Sequence, residues 1–441
     1  MSMRRPNLIF IMADDLGYAD LGVTGAHIAP GMDGTPCLDR LAAGGMLFSD
    51  GYSNSPVCSP TRFALITGRY QYRVPAGSEE PLAGRARGVE GMGIDPAHPT
   101  IPSLLAAAGY STALFGKWHL GYPPHYGPRK SGYGTFFGAL SGGLDYFSHV
   151  DRSGVHDLWD NETEVESQTY MTDLITGKTV DYIGTQEADV PFMISVHYTA
   201  PHWPWETRED RAESERIGNK VNHMDGGSVA TYRRMIAHMD EGVGRIVDAL
   251  ARRGMLEDTL IVFTSDNGGE RFSDVWPFIG GKMDLLEGGI RVPLIAHWPA
   301  RIRAGSKCAT PVMTMDWSAT FLAAAGVAAH PDYPLDGISL LPLMDDPGWD
   351  PGRGLFWRTT HRGQRAVRLG TWKYLRVGEH EYLFDLAQDS HERANLRERE
   401  PARFAQLKAA WEAWSEDMPG IPPGARASLV FGEADMPRPT H

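Results

Sequence analysis

The chain has 441 residues, a formal net charge of −13 and 42% hydrophobic residues. That length suits one large α/β domain with a smaller appendage, and the acidic balance excludes a global basic field for nucleic acid or an anionic membrane, so an anionic substrate would need a local basic pocket. Only three cysteines, Cys37, Cys58 and Cys308, exclude a disulfide framework, leave at least one thiol unpaired and provide no CxxC metal cluster.

No run approaches the roughly 18 apolar residues of a membrane helix. Met1–Arg5 is too short for a signal peptide, so the chain reads as cytoplasmic as it stands, and as periplasmic or secreted if a leader has been removed. Asn7–Met12 is an apolar run suited to a strand buried on both faces of a parallel sheet. It empties into Asp14-Asp15, where ligands of open α/β sheets bind; taken alone, the two carboxylates suit a hard cation or a turn equally. Thr35-Pro36 opens a helix and Met46–Phe48 reads as a strand. Pro60 belongs in a first helical turn, which places Cys58 at a helix N-terminus, where amides and dipole favour negative charge.

Residues 75–99 read as a loop. A helix starts near Thr100, and the strand Ser111–Phe115 runs into Lys117 and His119, each of which, taken singly, suits a solvated or hydrogen-bonded loop residue. Residues 121–170 lack periodicity and read as substrate-side loops. A helix over 171–184 precedes the strand 191–196, which ends in a proline-stiffened loop carrying His202. Residues 205–227 read as a further loop; with 75–99 and 121–170 it is expected to shape a pocket. The stripe Tyr232, Met235, Ile236, Met239, Val243, Ile246, Val247 and Leu250 predicts a long core-facing helix over 228–253. Thr259–Thr264 is a strand ending in Asp266-Asn267-Gly268, which composition alone reads as a turn. A glycine-punctuated segment carries Lys282, Leu294–Trp298 is a strand, and Met315–Ala325 a helix capped by Thr314 or Asp316. The α/β pattern fades near 345. The tail predicts short strands at 355–358, 365–369, 372–377 and 381–386 and a last helix near 401–416. The expected organisation is a large, mostly parallel sheet sandwiched by helices over 1–345, with a small antiparallel sheet and a helix over 346–441.

Strand ends in such a sheet share one rim. Here it would gather Asp14, Asp15, Asp266 and Asn267, enough oxygen for a hard cation, beside Lys117, Lys282, His119 and His202. A divalent cation with two ammonium groups suits a dianion-like sulfate or phosphate group.

The segment Cys58-Ser59-Pro60-Thr61-Arg62, with Thr67-Gly68-Arg69 after it, resembles the signature of the formylglycine-dependent sulfatases, with Thr61 where Ser is usual. Asn7–Gly17, Gly116–Gly121, Thr199–His202, Asp266–Gly268, Gly281-Lys282 and Glu287–Arg291 look like blocks of that family in family order, and the tail is similar to its C-terminal subdomain; the arylsulfatase and N-acetylgalactosamine-sulfatase-like group is the nearest in flavour. The resemblance implies an alkaline-phosphatase-like fold and hydrolysis of an aryl or sugar sulfate monoester. It also implies that a formylglycine-generating enzyme oxidises Cys58 to Cα-formylglycine (3-oxoalanine), whose hydrate attacks sulfur with one hydroxyl and expels sulfate with the other.

Carried over residue by residue, Asp14, Asp15, Asp266 and Asn267 would bind the cation, Ca²⁺ with Mg²⁺ or Mn²⁺ as alternatives. Arg62 would steady the hydrate, and Lys117 and Lys282 would clamp sulfate oxygens. His119 would trigger release, and His202 would face the bridging oxygen as an acid, with Lys282 its competitor. The rival readings are a phosphonate monoester or phosphodiester hydrolase of the same superfamily, and a non-catalytic sulfate- or glycan-binding protein with unmodified Cys58. A plain cysteine hydrolase would leave the carboxylates unexplained.

Overall fold

The computed structural model describes residues 5–25 and 33–428; residues 1–4 and 429–441, the ends of the two expected domains, lie outside them. The strands build a ten-stranded sheet in the order Ser306–Cys308, Met46–Phe48, Leu294–His297, Thr259–Ser265, Asn7–Ala13, Phe192–His197, Ser111–Lys117, Thr135–Ala139, Trp159–Asp160 and Thr163–Glu164. The five from Thr259–Ser265 to Thr135–Ala139 are mutually parallel, while Leu294–His297 runs antiparallel to its neighbours.

The first strand shows why the apolar run must be central. Alternate side chains leave a strand on opposite faces; Leu8, Phe10 and Met12 enter one core, Ile9, Ile11 and Ala13 the other. The second core receives the expected stripe of the helix Val229–Arg252, which packs beside the helices Met171–Thr185 and Pro36–Ala43. Because the central strands are parallel, their carboxyl ends meet on one rim. Asp14, Lys117, His197 and Asp266 lie there together.

Several local expectations are corrected. Thr135–Ala139, within the supposed loop 121–170, is a full member of the sheet, followed by two short strands. Its glycines concealed it: Gly138, at φ +152°, lies so close to Gly116 that a Cβ would fall 2.0 Å from the Gly116 carbonyl oxygen. Residues 205–227 contain the helix Arg211–Ile217 and do not line the cavity that holds Cys58. Arg271 ties this stretch down behind the cavity, stacking 3.9 Å over Trp205 and donating to the carbonyls of Asn222 and His223. Lys117 closes its strand rather than following it. The helix Asp316–Ala325 has no side-chain cap; the Asp316 carboxylate instead accepts from the amides of Met313 and Ile338 at 2.7 and 3.0 Å.

The tail forms a four-stranded antiparallel sheet, Gly354–Arg358, Arg365–Leu369, Trp372–Val377 and His380–Asp385. One face packs on Leu407 and Trp411 of the helix Pro401–Asp417, the other on Tyr52, Leu285 and Ile290 of the main body. Between the sheets lies a buried ionic cluster. Lys373 contacts Glu287 at 2.8 Å and Glu392 at 2.9 Å, the Tyr52 hydroxyl donates to Glu287 at 2.6 Å, and Asp50 receives Arg291 and Arg368 at 2.8 and 2.6 Å. Such a cluster fixes the docking angle, and breaking one partner strands the others without water. Lys373→Met should therefore cost about 3–5 kcal/mol in denaturant unfolding; a loss below about 1 kcal/mol would show that Glu287 and Glu392 do not depend on that ammonium.

Candidate active site

Cys58 is the first residue of the helix Cys58–Thr67, all ten residues of which are buried, and Gly68 at φ +66° ends it. The signature residues hold this helix in place. The Thr61 hydroxyl accepts from the Ser55 amide at 3.0 Å and donates to the Ser55 carbonyl at 3.1 Å, so Thr in place of Ser keeps the bond that shapes the approach to Cys58. The Ser59 hydroxyl accepts from the Leu82 amide at 2.7 Å. One turn on, Arg62 reaches across the rim: Nε and Nη2 donate to Asp266 Oδ2 at 3.0 and 2.8 Å, and Nη1 to the Lys117 carbonyl at 3.2 Å.

The rim brings every sequence-predicted site residue together. Lys117 Nζ lies 2.5 Å from Asp14 Oδ2, and Lys282 Nζ 2.6 Å from Asp15 Oδ2. The Asn267 amide donates to Asp15 Oδ1 at 2.7 Å, and the Asp15 backbone N–H points at Asp266 Oδ1 at 3.3 Å. Asp15 (φ 64°) and His119 (φ 61°) both adopt left-handed backbone, a local strain that packed surroundings sustain at functional sites. Three carboxylates thus face three cations, Arg62, Lys117 and Lys282. Burial, reinforced by Asp266, pushes the Asp14 carboxyl upward, and Lys117 and Arg62 oppose it by favouring the charged form. Burial also raises the Cys58 thiol, only partly opposed by Lys117 and Lys282. For Arg62 and Lys282 burial is the largest influence and acts downward, but the surrounding anionic groups together, led by Asp266 and Asp15 respectively, hold both guanidinium and ammonium above their ordinary values.

Both histidines are held well below their ordinary range by burial, helped by Lys117 for His119 and by Lys282 for His202. A carbonyl can only accept, so the ring tautomers follow from their contacts. His119 Nε2 donates to the Leu82 carbonyl at 2.7 Å, leaving buried Nδ1 as an acceptor without a partner among the described residues. His202 Nδ1 donates to the Trp203 carbonyl at 2.8 Å, leaving Nε2 3.6 Å from Asp15 Oδ2. Two glycines close the opposite wall: a Cβ on Gly142 would fall 2.4 Å from His119 Cε1, and one on Gly143 2.9 Å from His202 Cε1.

Asp14 Oδ1 and Asn267 Oδ1 are buried acceptors with no hydrogen-bond donor among the described residues. Asp14, Asp266 and Cys58 offer ligand atoms within 4.8 Å of one another, as do Asp14, Asp15 and His202. Unsatisfied buried oxygens among carboxylates fit a hard divalent cation. A cavity of about 370 Å³ opens over the cluster, lined among others by Cys58, His119, His202, Trp203, Glu270 and Lys282.

Two of these neighbours went unread in the sequence. His197, the last residue of its strand, is buried and shares the Lys117 carbonyl with Arg62, donating from Nδ1 at 3.2 Å. Its place at a strand end was the available signal. Glu270 follows Asp266-Asn267-Gly268-Gly269, and no local pattern marks it.

Comparison with known proteins agrees with this chemistry. The family model described as Sulfatase matches residues 6–327, and one described as N-sulphoglucosamine sulphohydrolase, C-terminal, matches 281–413. Arylsulfatase J of Mus musculus is 30% identical, over 91% of this chain and 74% of that protein. N-acetylgalactosamine-6-sulfatase of the same organism is 34% identical, over 83% of this chain and 71% of that protein. The crystal structure of Ps i-CgsB in complex with k-i-k-neocarrahexaose superposes with a TM-score of 0.84 at 31% identity, covering 95% of this chain and 94% of that one. With a matching family model over most of its length and a rim of charges suited to an oxyanion, this chain belongs to the sulfatase family and is a sulfuric ester hydrolase.

Proposed function

We propose that the chain hydrolyses the sulfate monoester of an aryl or sugar alcohol, with Cys58 carried as formylglycine and a divalent cation, Ca²⁺ before Mg²⁺ or Mn²⁺, held by Asp14, Asp15, Asp266 and Asn267. The observation that carries this reading is the burial of Cys58 against three carboxylates and two ammonium groups, in a space where two acceptor oxygens lack donors. The bound cation would supply positive charge for the anionic ester, and the modified residue an oxygen nucleophile. The names of the two mammalian relatives and the neocarrahexaose in the similar crystal structure support an aryl or sugar sulfate.

The roles of this chain's residues follow from their contacts. Without a cation, the three carboxylates are balanced by Arg62, Lys117 and Lys282. A divalent cation would leave the two lysines in excess, available to hydrogen-bond sulfate oxygens. Arg62 is fixed by Asp266 and the Lys117 carbonyl and steadies residue 58 from below. Neutral His119 presents Nδ1 as the base that takes a proton from the residue-58 hydroxyl group. Lys282 and His202 flank one oxygen of Asp15 and line the cavity together, and on this reading they would face the leaving alcohol. On this reading a maturation enzyme reads the motif before the chain folds, which the burial of Cys58–Thr67 supports.

Mass spectrometry of the peptide spanning residues 58–62 should show sulfur lost and oxygen gained in active protein; a thiol at full occupancy in active protein would sink the mechanism, and so would full multiple turnover by Cys58→Ser. On paired substrates, kcat/KM for 4-nitrophenyl sulfate should exceed that for the matching phenylphosphonate ester, and the reverse order would favour the phosphonate hydrolase. Chelation should lower the melting temperature, and Ca²⁺ at 100 times its Kd should restore about 2.7 kcal/mol; an unchanged Tm would refute the cation site. Gly142→Ala should displace the His119 ring and reduce kcat by about 100-fold, with global stability little changed; wild-type kcat would mean that His119 does not need its present position.

A further inference from the structure

Glu270 is a carboxylate with no assigned work. The residue is half-buried, yet both carboxylate oxygens are sheltered from solvent and neither has a hydrogen-bond partner among the described residues. It lines the same cavity as Cys58, His202 and Lys282. The cations beside it act on it through space but contact other groups: Lys282 sits on Asp15 at 2.6 Å, and on the reading above turns to the sulfate oxygens once a cation is bound, while Arg271 donates to backbone carbonyls of Asn222 and His223 and stacks on Trp205. The Trp203 side chain lies near enough to ease the charge but makes no hydrogen bond of ordinary geometry with it.

The backbone on either side is clamped. The Gly268 amide donates to the Gly289 carbonyl at 2.9 Å, the Lys282 amide to the Gly269 carbonyl at 3.0 Å and the Ser273 amide to the Glu270 carbonyl at 2.7 Å. Gly269 has no room for a side chain, since a Cβ there would meet Ser273 Oγ at 1.9 Å. A sheltered carboxylate without donors is costly, and a rigid mount keeps it from turning out to water. Such a group is satisfied by a ligand that brings hydroxyl donors, and it repels a ligand that brings a second anion to the same place.

We propose, on the sulfate-ester reading above, that Glu270 is a specificity-determining residue that accepts hydrogen bonds from sugar hydroxyl groups close to the sulfate. It thereby selects a sugar sulfate over an aryl sulfate, and a hydroxyl over a second sulfate at that position. The chemistry is a division of labour within one cavity: the lysines hold the anion, and Glu270 checks that its neighbour is a neutral donor.

The test is calorimetric binding to the full chain carrying Cys58→Ala, with Ca²⁺ present, so that no ligand is consumed. The probes are galactose 4-sulfate, galactose 6-sulfate, N-acetylglucosamine 6-sulfate, galactose 4,6-disulfate and phenyl sulfate. Adding Glu270→Ala should weaken the best-bound monosulfated sugar by about 10-fold or more relative to phenyl sulfate. Glu270→Gln, which keeps the shape and one acceptor oxygen, should weaken it less and should tighten the disulfate. Equal shifts for all probes in both variants, no shift at all, or failure of every sugar sulfate to bind before Glu270 is changed would overturn the proposal. Because the readout needs no turnover, inability of the native enzyme to cleave 4-nitrophenyl sulfate would count against the catalytic reading alone.

Discussion

The ion pair between Arg62 and Asp266 joins two parts of the site that lie 204 positions apart in the chain. It is closed off from solvent on both sides, and the same guanidinium also holds the Lys117 carbonyl. A carboxylate or guanidinium left alone at that depth would cost several kcal/mol. The helix that begins at Cys58 therefore cannot shift relative to the strands ending at Lys117 and Ser265 without stranding a charge. The pair need not add net stability over an apolar substitute; what it secures is geometry.

The rest of the site is arranged around that lock. Parallel strands deliver Asp14, Lys117, His197 and Asp266 to one rim, where Asp15 and His119 join them on left-handed backbone. With carboxylates and cations in balance, the protein can fold with the charges buried. The same balance is poised, because one divalent cation tips it toward binding an anion. The ionic cluster around Lys373 plays a comparable part at the second sheet, where it sets the face against which Glu287 and the turn beyond Lys282 pack.

Much of this was readable along the chain. Buried parallel strands leave continuous apolar runs, and the long helix leaves a 3.6-residue stripe, because burial acts on each segment locally. The chemical residues were readable because they cluster immediately after those strands. The misreadings share a cause. Thr135–Ala139 is surrounded by glycines that it needs for close approach to its neighbour, so a sheet strand looked like a loop. Glu270 and His197 carry no local pattern that separates them from any loop acid or strand-end histidine. Residues 205–227 have the composition of a pocket loop, but Arg271, distant in sequence, ties them down outside the cavity.

By itself the sequence determined the fold class, the signature around Cys58 and the set of charged residues that converge, since each depends on periodicity or on short-range spacing. The tertiary structure alone decided which lysine meets which aspartate, which ring nitrogen of each histidine is free, and which carboxylate in the cavity remains without a donor. Those outcomes depend on contacts between residues up to 267 positions apart, and on the burial that makes an unmatched charge expensive. No local pattern encodes either.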